Sequence, residues 1–353
     1  MLRAAMVAID GQYSNDAETK RISRLLHDRC IKMLNKRERE PMSEPDRLCD
    51  HQTVFLVEIL SQYRARRAAK TLSPRFGTLC HKVAENFRQT SLRLFDIVHS
   101  LPRHENVSLT HWIKWIELAT WQHLLASCYI LESQQATLLG REPSPSLFFD
   151  SGMELPFPTH SSVWDTATLA EWAIAAKQNS SPPLYVYEVT PGSLLLPCDT
   201  FQSSALLAAH YSHVDTNLAY FNAPTVEEVD HILDDSFVTK QKLLTAKLLQ
   251  VTPIRALLAV SGESWILSEK VASSQQFAVF KNTLRTWASQ IWTPSTNSSQ
   301  SVASKDALKI AVDILQLVMG KQAQCCELNM GSDMGVYFAS LVLWTITTTA
   351  STR

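Results

Sequence analysis

Apolar residues recur at intervals of three and four positions along most of the chain, which is the spacing of amphipathic helices. The stretch from residue 109 to residue 140 shows this most strongly. Its apolar residues fill two helical faces, one with Trp112, Trp115, Ile116 and Ala119 and the other with Leu118, Trp121, Leu125 and Cys128. A helix that is apolar around most of its circumference is covered on several sides. The pattern therefore predicts a central helix, and Ser108 is placed to cap its first turn.

Similar periodicity predicts further helices, including 52–72, 76–101, 161–177 and 240–260, the last bent near Pro253. One region interrupts the pattern. Four prolines exclude a continuous helix between residues 141 and 159, namely Pro143, Pro145, Pro156 and Pro158. A single short run, LYVYEV at 184–189, has the composition of a strand. We therefore predict an all-α helical bundle with one proline-rich interruption.

Composition narrows the classes of fold and function. The chain has 353 residues but only nine glycines, and glycine supplies the positive-φ turns of hairpins and phosphate-binding loops. Many-stranded β folds and nucleotide-binding folds are therefore disfavoured. The formal net charge of −1 gives no global positive field that would attract nucleic acid.

Cysteine usage and apolar runs bear on the compartment. The seven cysteines have no regular spacing and no C-x-x-C pair, so neither a disulfide framework nor a zinc site is predicted. The N-terminal apolar run Leu2–Ile9 is interrupted by Arg3 and is too short for a signal peptide. The longest apolar segment, which starts at Gly335, is shorter than the ~20 residues of a membrane span. We expect an intracellular protein without a membrane span.

The N-terminal segment differs from the rest in charge, because eight cations stand against two carboxylates between Lys20 and Arg39. Two interpretations stay open. One is an arm for nucleic acid or nuclear import, and the other is a solvated amphipathic helix or linker, since apolar residues recur at helical spacing among the charges. The predicted division of the chain is a basic arm or linker at 1–48, a helical domain at 49–347 and a tail at 348–353.

Candidate metal and redox groups are sparse. His210 and His213 lie one helical turn apart with Asp215 nearby, a spacing at which two histidines can share a metal. No third or fourth ligand is identifiable, so ordinary polar surface is the simpler interpretation. The adjacent pair Cys325 and Cys326 is more typical of buried helix cysteines than of a redox centre.

Candidate catalytic groups are equally sparse. Asp230, Asp234 and Asp235 are similar to the aspartate-rich motif of all-helical terpene cyclases, but Val238 stands where that motif needs a further acid. A second magnesium motif is also missing, and magnesium clamping of a diphosphate needs both. The serines of VSGESW at 260–265 have no evident base nearby in sequence. We predict no catalytic, cofactor-binding or metal-binding residue, and hence no enzyme.

Several motifs follow one another in a fixed order. They are W-x-x-W-x-E from Trp112 to Glu117, LPFP at 155–158, Trp164, the pair Glu171 and Trp172, and GVYFASLVLWT at 335–345. Together they resemble the fungal-specific transcription factor domain, most closely the version attached to two-cysteine two-histidine zinc fingers. The resemblance extends over residues 50 to 345, which is most of the chain.

The resemblance implies an all-helical regulatory domain without catalysis, in a nuclear protein that contacts other transcription proteins or a second copy of itself. Many such proteins govern gene clusters, including those for secondary metabolism. Family members contact DNA through a zinc module, and zinc is implied only where that module exists. No such module precedes the domain in this sequence. Three explanations stay open: the chain is a fragment, its gene model starts late, or the protein works without a DNA reader of its own.

We expect the tryptophans to be structural. The predicted core residues are Trp112, Trp115, Trp121, Trp164, Trp172 and Trp344. A ligand pocket among them stays open as an alternative, because helical bundles house sites between helices. The alternative function is accordingly a helical enzyme or small-molecule-binding protein of a biosynthetic cluster.

Overall fold

The structure, a computed structural model, describes residues 1–39, 48–63, 71–85, 87–101, 107–138, 155–179, 182–194, 196–211, 229–262, 273–292, 299–320 and 332–351. Within these ranges the chain forms fourteen α-helices and two short 3-10 turns, and it forms no β-strand. The predicted all-α fold class is confirmed.

The helices follow the chain in simple order. Those of the N-terminal half are α1 (Leu2–Asp10), α2 (Ala17–Arg39), α3 (Leu48–Tyr63), α4 (Pro74–Ala84), α5 (Phe87–His99), α6 (Leu109–Leu138), α7 (Ser161–Trp164) and α8 (Leu169–Gln178). Those of the C-terminal half are α9 (Thr200–His210), α10 (Phe237–Val251), α11 (Ile254–Val260), α12 (Ser274–Ser289), α13 (Ser299–Met319) and α14 (Ser332–Ser351). The 3-10 turns are Val186–Glu188 and Gln290–Trp292.

The chain divides into two compact units. The first comprises Met1–Leu131 and Pro145–Val186, and the second comprises Glu132–Ser144 and Tyr187–Arg353. This division differs from the one predicted at residues 48 and 49. Within the first unit, α1 and α2 pack against α3. Within the second unit, residues 348–351 of the expected tail are the last turn of α14.

The N-terminal part of the first unit has its own small core. Ala5 of α1, Cys30 and Leu34 of α2 and Val57 of α3 are buried against one another. The helices approach closely because small side chains line the contact, and the Ser23 hydroxyl donates to the Ala8 carbonyl at 2.5 Å. The described residues of the basic segment, 1–39, are therefore a folded part of the unit.

The second unit is built around apolar faces of α10 to α14. The fully buried side chains of this core include Leu248, Leu257, Leu258, Ile314, Phe338 and Val342. The bend predicted near Pro253 is confirmed, because α10 and α11 meet at an angle of 86° on either side of it. Proline lacks the N–H that a continuous helix would need at this point.

The proline-rich interruption ends in a short pairing of two extended segments. The Phe157 N–H donates to the Leu184 carbonyl at 2.8 Å, and the Val186 N–H donates to the Leu155 carbonyl at 2.9 Å. The strand-like run at 184–189 thus contributes one antiparallel bridge and then a 3-10 turn. The β-ladder does not extend past this bridge because Pro156 and Pro158 have no N–H to donate.

Two predicted helices are each split in the structure. The segment 76–101 forms α4 and α5, and the segment 161–177 forms α7 and α8. The second break has a local cause, since Thr168 and Glu171 form a reciprocal capping box that starts α8. For the first break the described residues offer no cause.

No single helix within the described ranges is both long and apolar enough to cross a membrane. The pair α10 and α11 reaches that length and composition together, but only across its 86° bend.

Candidate functional site

The tryptophan-rich half of α6 carries an aromatic cluster in the first unit. Trp115 packs against Trp172 of α8 with ring centroids 5.6 Å apart and against Trp164 of α7 at 6.1 Å. His123, two turns further along α6, lies 4.3 Å from the Trp164 ring. All three pairs are tilted, which is a favourable arrangement for aromatic rings.

Local chemistry of α8 positions the deepest of these rings. Glu171 accepts hydrogen bonds from the backbone N–H groups of Ala167 and Thr168, both at 3.1 Å, while the Thr168 hydroxyl accepts from the Glu171 N–H at 3.2 Å. The capping box fixes the first turn of α8, and Trp172 is the next residue. The acidic residue of the Glu171-Trp172 motif thus has a structural role, and the Thr168-x-x-Glu171 spacing of a capping box is the sequence signal for it.

The six tryptophans expected in the core differ in exposure. Trp172 and Trp115 are 0% and 3% exposed, Trp112 and Trp121 are half-buried, and Trp164 and Trp344 are 37% and 46% exposed. A core position therefore describes Trp115 and Trp172, but it does not describe Trp164 or Trp344. The buried stripe of α14 runs through Phe338, Val342 and Thr345, and the indole of Trp344 lies off that stripe.

One polar atom inside the cluster has no partner. The indole Nε1 of Trp172 is buried and makes no hydrogen bond, although its N–H is an obligatory donor. A buried donor without an acceptor costs on the order of 1–3 kcal/mol, so each such atom calls for an explanation. This missing partner could not be predicted from the sequence, because the environment of an indole nitrogen depends on tertiary packing.

The LPFP segment is tied to α6 by a buried amide. Gln122 accepts hydrogen bonds from the Thr159 backbone N–H at 3.3 Å and from the Thr159 hydroxyl at 3.0 Å. Gln122 belongs to the polar side of α6 in the sequence pattern, yet it is 8% exposed. It serves as an anchor for the chain that returns from the proline-rich region.

The outer side of α2 presents a second candidate surface. Three large apolar side chains are exposed there, Ile22 at 46%, Leu25 at 53% and Met33 at 45%. Arg24, Arg29 and Lys32 are exposed on the same helix, and among the described residues no ion pair joins them to a carboxylate. We call the exposed set Ile22, Leu25, Arg29, Lys32 and Met33 the basic face of α2; Arg24 is exposed on a different side of the helix.

The opposite side of α2 holds the helix rigidly to its unit. His27 is 7% exposed, and its Nε2 lies 3.1 Å from both the Val57 carbonyl and the Ser61 hydroxyl of α3. Arg37 forms a half-buried ion pair with Asp50 at 2.5 Å. The basic face is thus displayed on a helix whose orientation is fixed by buried contacts.

The aspartates of the second unit are used to join helix ends. Asp234 accepts hydrogen bonds from the Thr200 hydroxyl at 3.2 Å, from the Ser236 N–H at 3.1 Å and from the Thr239 hydroxyl. Burial alone raises the pKa of Asp234, but the hydrogen bonds from Ser236 and Thr239 outweigh it and lower the pKa. The carboxylate thus links the first turn of α9 to the start of α10, whose N-cap is Ser236.

Asp230 has a comparable structural role. It accepts a hydrogen bond from the Tyr211 hydroxyl at 2.6 Å and pairs with Lys247 at 2.5 Å. Burial, together with the hydrogen bond to Asp230, raises the pKa of Tyr211. Asp235 points outward, with its carboxylate 97% exposed and paired with Lys240. The three aspartates therefore do not converge on one point.

Lys242 makes a polar contact with Ser204 that the sequence did not indicate. Its ammonium donates to the Ser204 hydroxyl at 2.9 Å, and burial lowers its pKa against the opposing effect of Asp234. A lysine beside a serine is one arrangement that activates a nucleophile. Here the Ser204 hydroxyl donates its own proton to the Thr200 carbonyl at 2.7 Å, so the contact is structural.

Groups of three or more metal-ligating side chains are absent from the described part of the chain. His210 lies at the end of α9, whereas His213, Asp215, Cys325 and Cys326 lie outside the described residues. Of the two serines in VSGESW, Ser261 donates to the Leu258 carbonyl, and Ser264 lies outside the described residues.

Comparison with known proteins bears on the family. No curated protein and no solved structure is similar enough to the chain to count as a match. The family model of the fungal-specific transcription factor domain matches residues 2–191, more than half of the 353-residue chain. The match includes the aromatic cluster, the LPFP segment and the helices of the basic segment. The chain therefore belongs to the fungal-specific transcription factor domain family.

Proposed function

We propose that this chain is a nuclear regulator of transcription that acts through protein contacts of its helical domain. The observation that carries the proposal is the family match over residues 2–191. The family is a regulatory domain rather than a catalytic one, and the polar clusters of α9 and α10 serve as caps and links between helices. The domain needs no cofactor of its own, and zinc belongs to a separate DNA-reading module.

A tethering assay tests the regulatory role. The full chain, fused to an unrelated DNA-binding module in a fungal cell, changes the output of a reporter that carries the sites of that module. The module alone, expressed at the same level, leaves the output unchanged. Equal output from the fusion and from the module would contradict the proposal.

The targets we propose are the genes of one cluster, such as a cluster for secondary metabolite biosynthesis. The resemblance to regulators of such clusters supports this choice. Deletion of the gene changes the transcript levels of its chromosomal neighbours, and re-expression of the chain restores them. A deletion that alters only unlinked genes would contradict the cluster assignment and leave the regulatory role intact.

A second copy of the chain is one proposed protein partner. Light scattering on the purified chain at micromolar concentration gives the mass of a dimer, compared with 39.7 kDa for one chain. A monomer at all concentrations would leave heterologous transcription proteins as the partners.

A second candidate function is small-molecule binding by the aromatic cluster, and the unpartnered indole Nε1 of Trp172 favours it. A ligand with a carbonyl or similar acceptor would satisfy that donor. Native mass spectrometry of the chain purified from its host then shows an added mass. The substitution Trp172→Phe removes the donor and releases the ligand. A chain of unliganded mass in both proteins would remove this candidate.

A further inference from the structure

We infer that the basic face of α2 docks an acidic amphipathic helix of a partner protein. The inference deepens the proposed function and rests on it, because it gives the chemistry of one protein partner. The face combines two properties on a helix that is fixed to a folded unit. It exposes large apolar side chains, and it surrounds them with cations.

The apolar residues share one side of the helix. Ile22, Leu25 and Met33 are separated by three and eight positions, so the 3.6-residue period brings them within a narrow arc. Arg29, at seven positions from Ile22, lies within the same arc. The strip from Ile22 to Met33 is about 16 Å long, which is three helical turns. A partner helix of similar length is long enough to cover it.

Charge complementarity selects the partner. Between Lys20 and Lys36 the sequence carries six cations and a single carboxylate, Asp28. Of the six, Arg21 pairs with Glu18 at the start of the helix, so the positive charge is concentrated further along α2. The chain as a whole has a net charge of −1, so this positive field is local to α2. Across an interface, complementary potentials steer association and disfavour partners of like charge. An acidic segment meets this requirement.

The apolar strip decides between an acidic protein segment and nucleic acid. Phosphate contacts use cations and hydrogen-bond donors, and they gain nothing from exposed aliphatic side chains. An amphipathic helix instead places apolar residues at i, i+3, i+4 and i+7 against an apolar strip and keeps its carboxylates at the edges. Segments that alternate acidic and hydrophobic residues are typical of activation domains. The basic face of α2 fits a segment of that composition.

The two sides of α2 explain why the strip stays exposed in the isolated chain. One side of α2 is buried against α1 and α3 through Ser23, His27, Cys30 and Leu34. The arc from Leu25 to Met33 lies on the other side of the same helix, where no described helix covers it.

Binding of a synthetic probe tests the inference. The probe is a fluorescent peptide of about 16 residues with leucines at i, i+3, i+4 and i+7 and with glutamate or aspartate at the other exposed positions. The purified full chain binds it in about 150 mM salt. Two double variants weaken binding by at least about ten-fold. The apolar variant is Leu25→Gln with Met33→Gln, and the charge variant is Arg29→Glu with Lys32→Glu.

A matched control uses the same kinds of change on another helix. Val279 is 59% exposed and Arg285 is exposed on α12, so Val279→Gln with Arg285→Glu alters one apolar and one charged residue far from α2 in sequence. This variant keeps the wild-type affinity within about two-fold, since surface changes away from a contact have little effect. Circular dichroism and melting curves of all variants match the wild type.

The contradicting outcomes are distinct. Absence of peptide binding by the wild type would overturn the inference. Loss of binding by the charge variant alone, with displacement of the peptide by double-stranded DNA, would assign the face to phosphate instead and overturn it as well. Failure of the tethering assay with intact peptide binding would contradict the proposed function alone, whereas an active fusion without peptide binding would contradict this inference alone.

Discussion

Trp115 is the residue on which the aromatic cluster of the first unit depends. Its indole is 3% exposed and contacts the rings of both Trp164 and Trp172. Truncation of a buried aromatic costs about 3–5 kcal/mol, against a typical domain stability of about 5–15 kcal/mol. We therefore expect Trp115→Ala to lower the melting temperature, the soluble yield and the regulatory output together.

Lys114 supplies the control for that substitution. It is the neighbour of Trp115 on α6 but is exposed, so Lys114→Ala changes stability by no more than about 0.5 kcal/mol. An unchanged melting temperature in Trp115→Ala, with lost activity, would show that the indole belongs to a binding surface and not to the core.

Asp234 gives a prediction with a defined pH dependence. Its carboxylate links the starts of α9 and α10 and accepts three hydrogen bonds. Hydrogen bonds to a charged group contribute about 1.5–3 kcal/mol when buried, and this half-buried carboxylate falls at the lower end. Asp234→Ala therefore lowers the free energy of unfolding at neutral pH by about 1–2 kcal/mol. Asp235→Ala changes an exposed carboxylate and has little effect.

The direction of the pH effect follows from the lowered pKa of Asp234. The folded state binds the proton less tightly than the unfolded state, whose pKa is near the ordinary value of 3.8. The stabilising contribution is thus complete above pH 3.8 and is lost as the pH falls through the folded-state pKa. Urea unfolding from pH 6 to 3 measures it, and the gap between wild type and Asp234→Ala narrows only at the acidic end. A gap that is constant over the whole range would contradict the prediction.

At the scale of single residues, the sequence predicted the burial of Trp115 but not the exposure of Trp344. Both lie in apolar helices, and an apolar period alone gives no indication of which side of a helix finds a partner. Trp115 lies opposite α8 and α7, whereas Trp344 is beside the buried stripe of α14. The hydrogen bond from Lys242 to Ser204 was also not predictable, because 38 residues separate the two side chains in the chain.

Among the helices, the contact of α14 with α10 depends on a glycine. A Cβ added to Gly335 would overlap the Thr245 hydroxyl and lie 3.2 Å from its Cβ and Cγ2. Thr245 is itself buried, and its hydroxyl donates to the Gln241 carbonyl at 2.8 Å. We expect Gly335→Ala to destabilise the chain by about 1–3 kcal/mol, as overpacking does.

Gly77 of α4 is the matched control for that change. A Cβ added there meets nothing within 4 Å, so Gly77→Ala stabilises the helix by about 0.5–1 kcal/mol through lower backbone entropy of the unfolded chain. Adding Thr245→Ala to Gly335→Ala recovers part of the lost stability. If the stability changes of Gly335→Ala and Thr245→Ala simply add in the double variant, the close approach of α14 to α10 is not the cause of the destabilisation.

The capping box of α8 gives a smaller effect. Thr168→Ala removes the acceptor for the Glu171 N–H and lowers stability by about 1 kcal/mol, whereas Thr168→Ser keeps the acceptor and the stability. Thermal melts of the two variants measure the difference. Equal melting temperatures for the alanine and serine variants would contradict a role of this cap.

Helix existence was more predictable than helix ends. The central helix, the bend near Pro253 and the cap at Ser108 follow from periodicity, proline chemistry and a hydroxyl before an apolar run. The strand-like run at 184–189 became a single bridge because prolines limit its partner, a constraint that appears only once the two segments are paired. The break between α4 and α5 could not be predicted in this way, because no proline or glycine lies between the two helices.

At the scale of the whole molecule, the property to test is whether the chain binds DNA with sequence specificity. Sequence-specific readout requires an element placed in a groove, which zinc modules supply. We predict that the purified chain binds promoter DNA only weakly and loses this binding at about 200 mM salt, because binding of phosphates by cations without base readout is weakened by salt. A band shift to one defined promoter that survives such salt would contradict the prediction.

We propose that the helical domain alters transcription through protein contacts once it is brought to a promoter. The most direct measurement is reporter output per molecule of tethered chain, with the wild type, Lys114→Ala and Trp115→Ala compared at measured abundance. We predict a changed output for the wild type and for Lys114→Ala, and an output near that of the bare DNA-binding module for Trp115→Ala. A wild-type fusion that is abundant, folded and nuclear, yet gives the output of the bare module, would contradict this proposal.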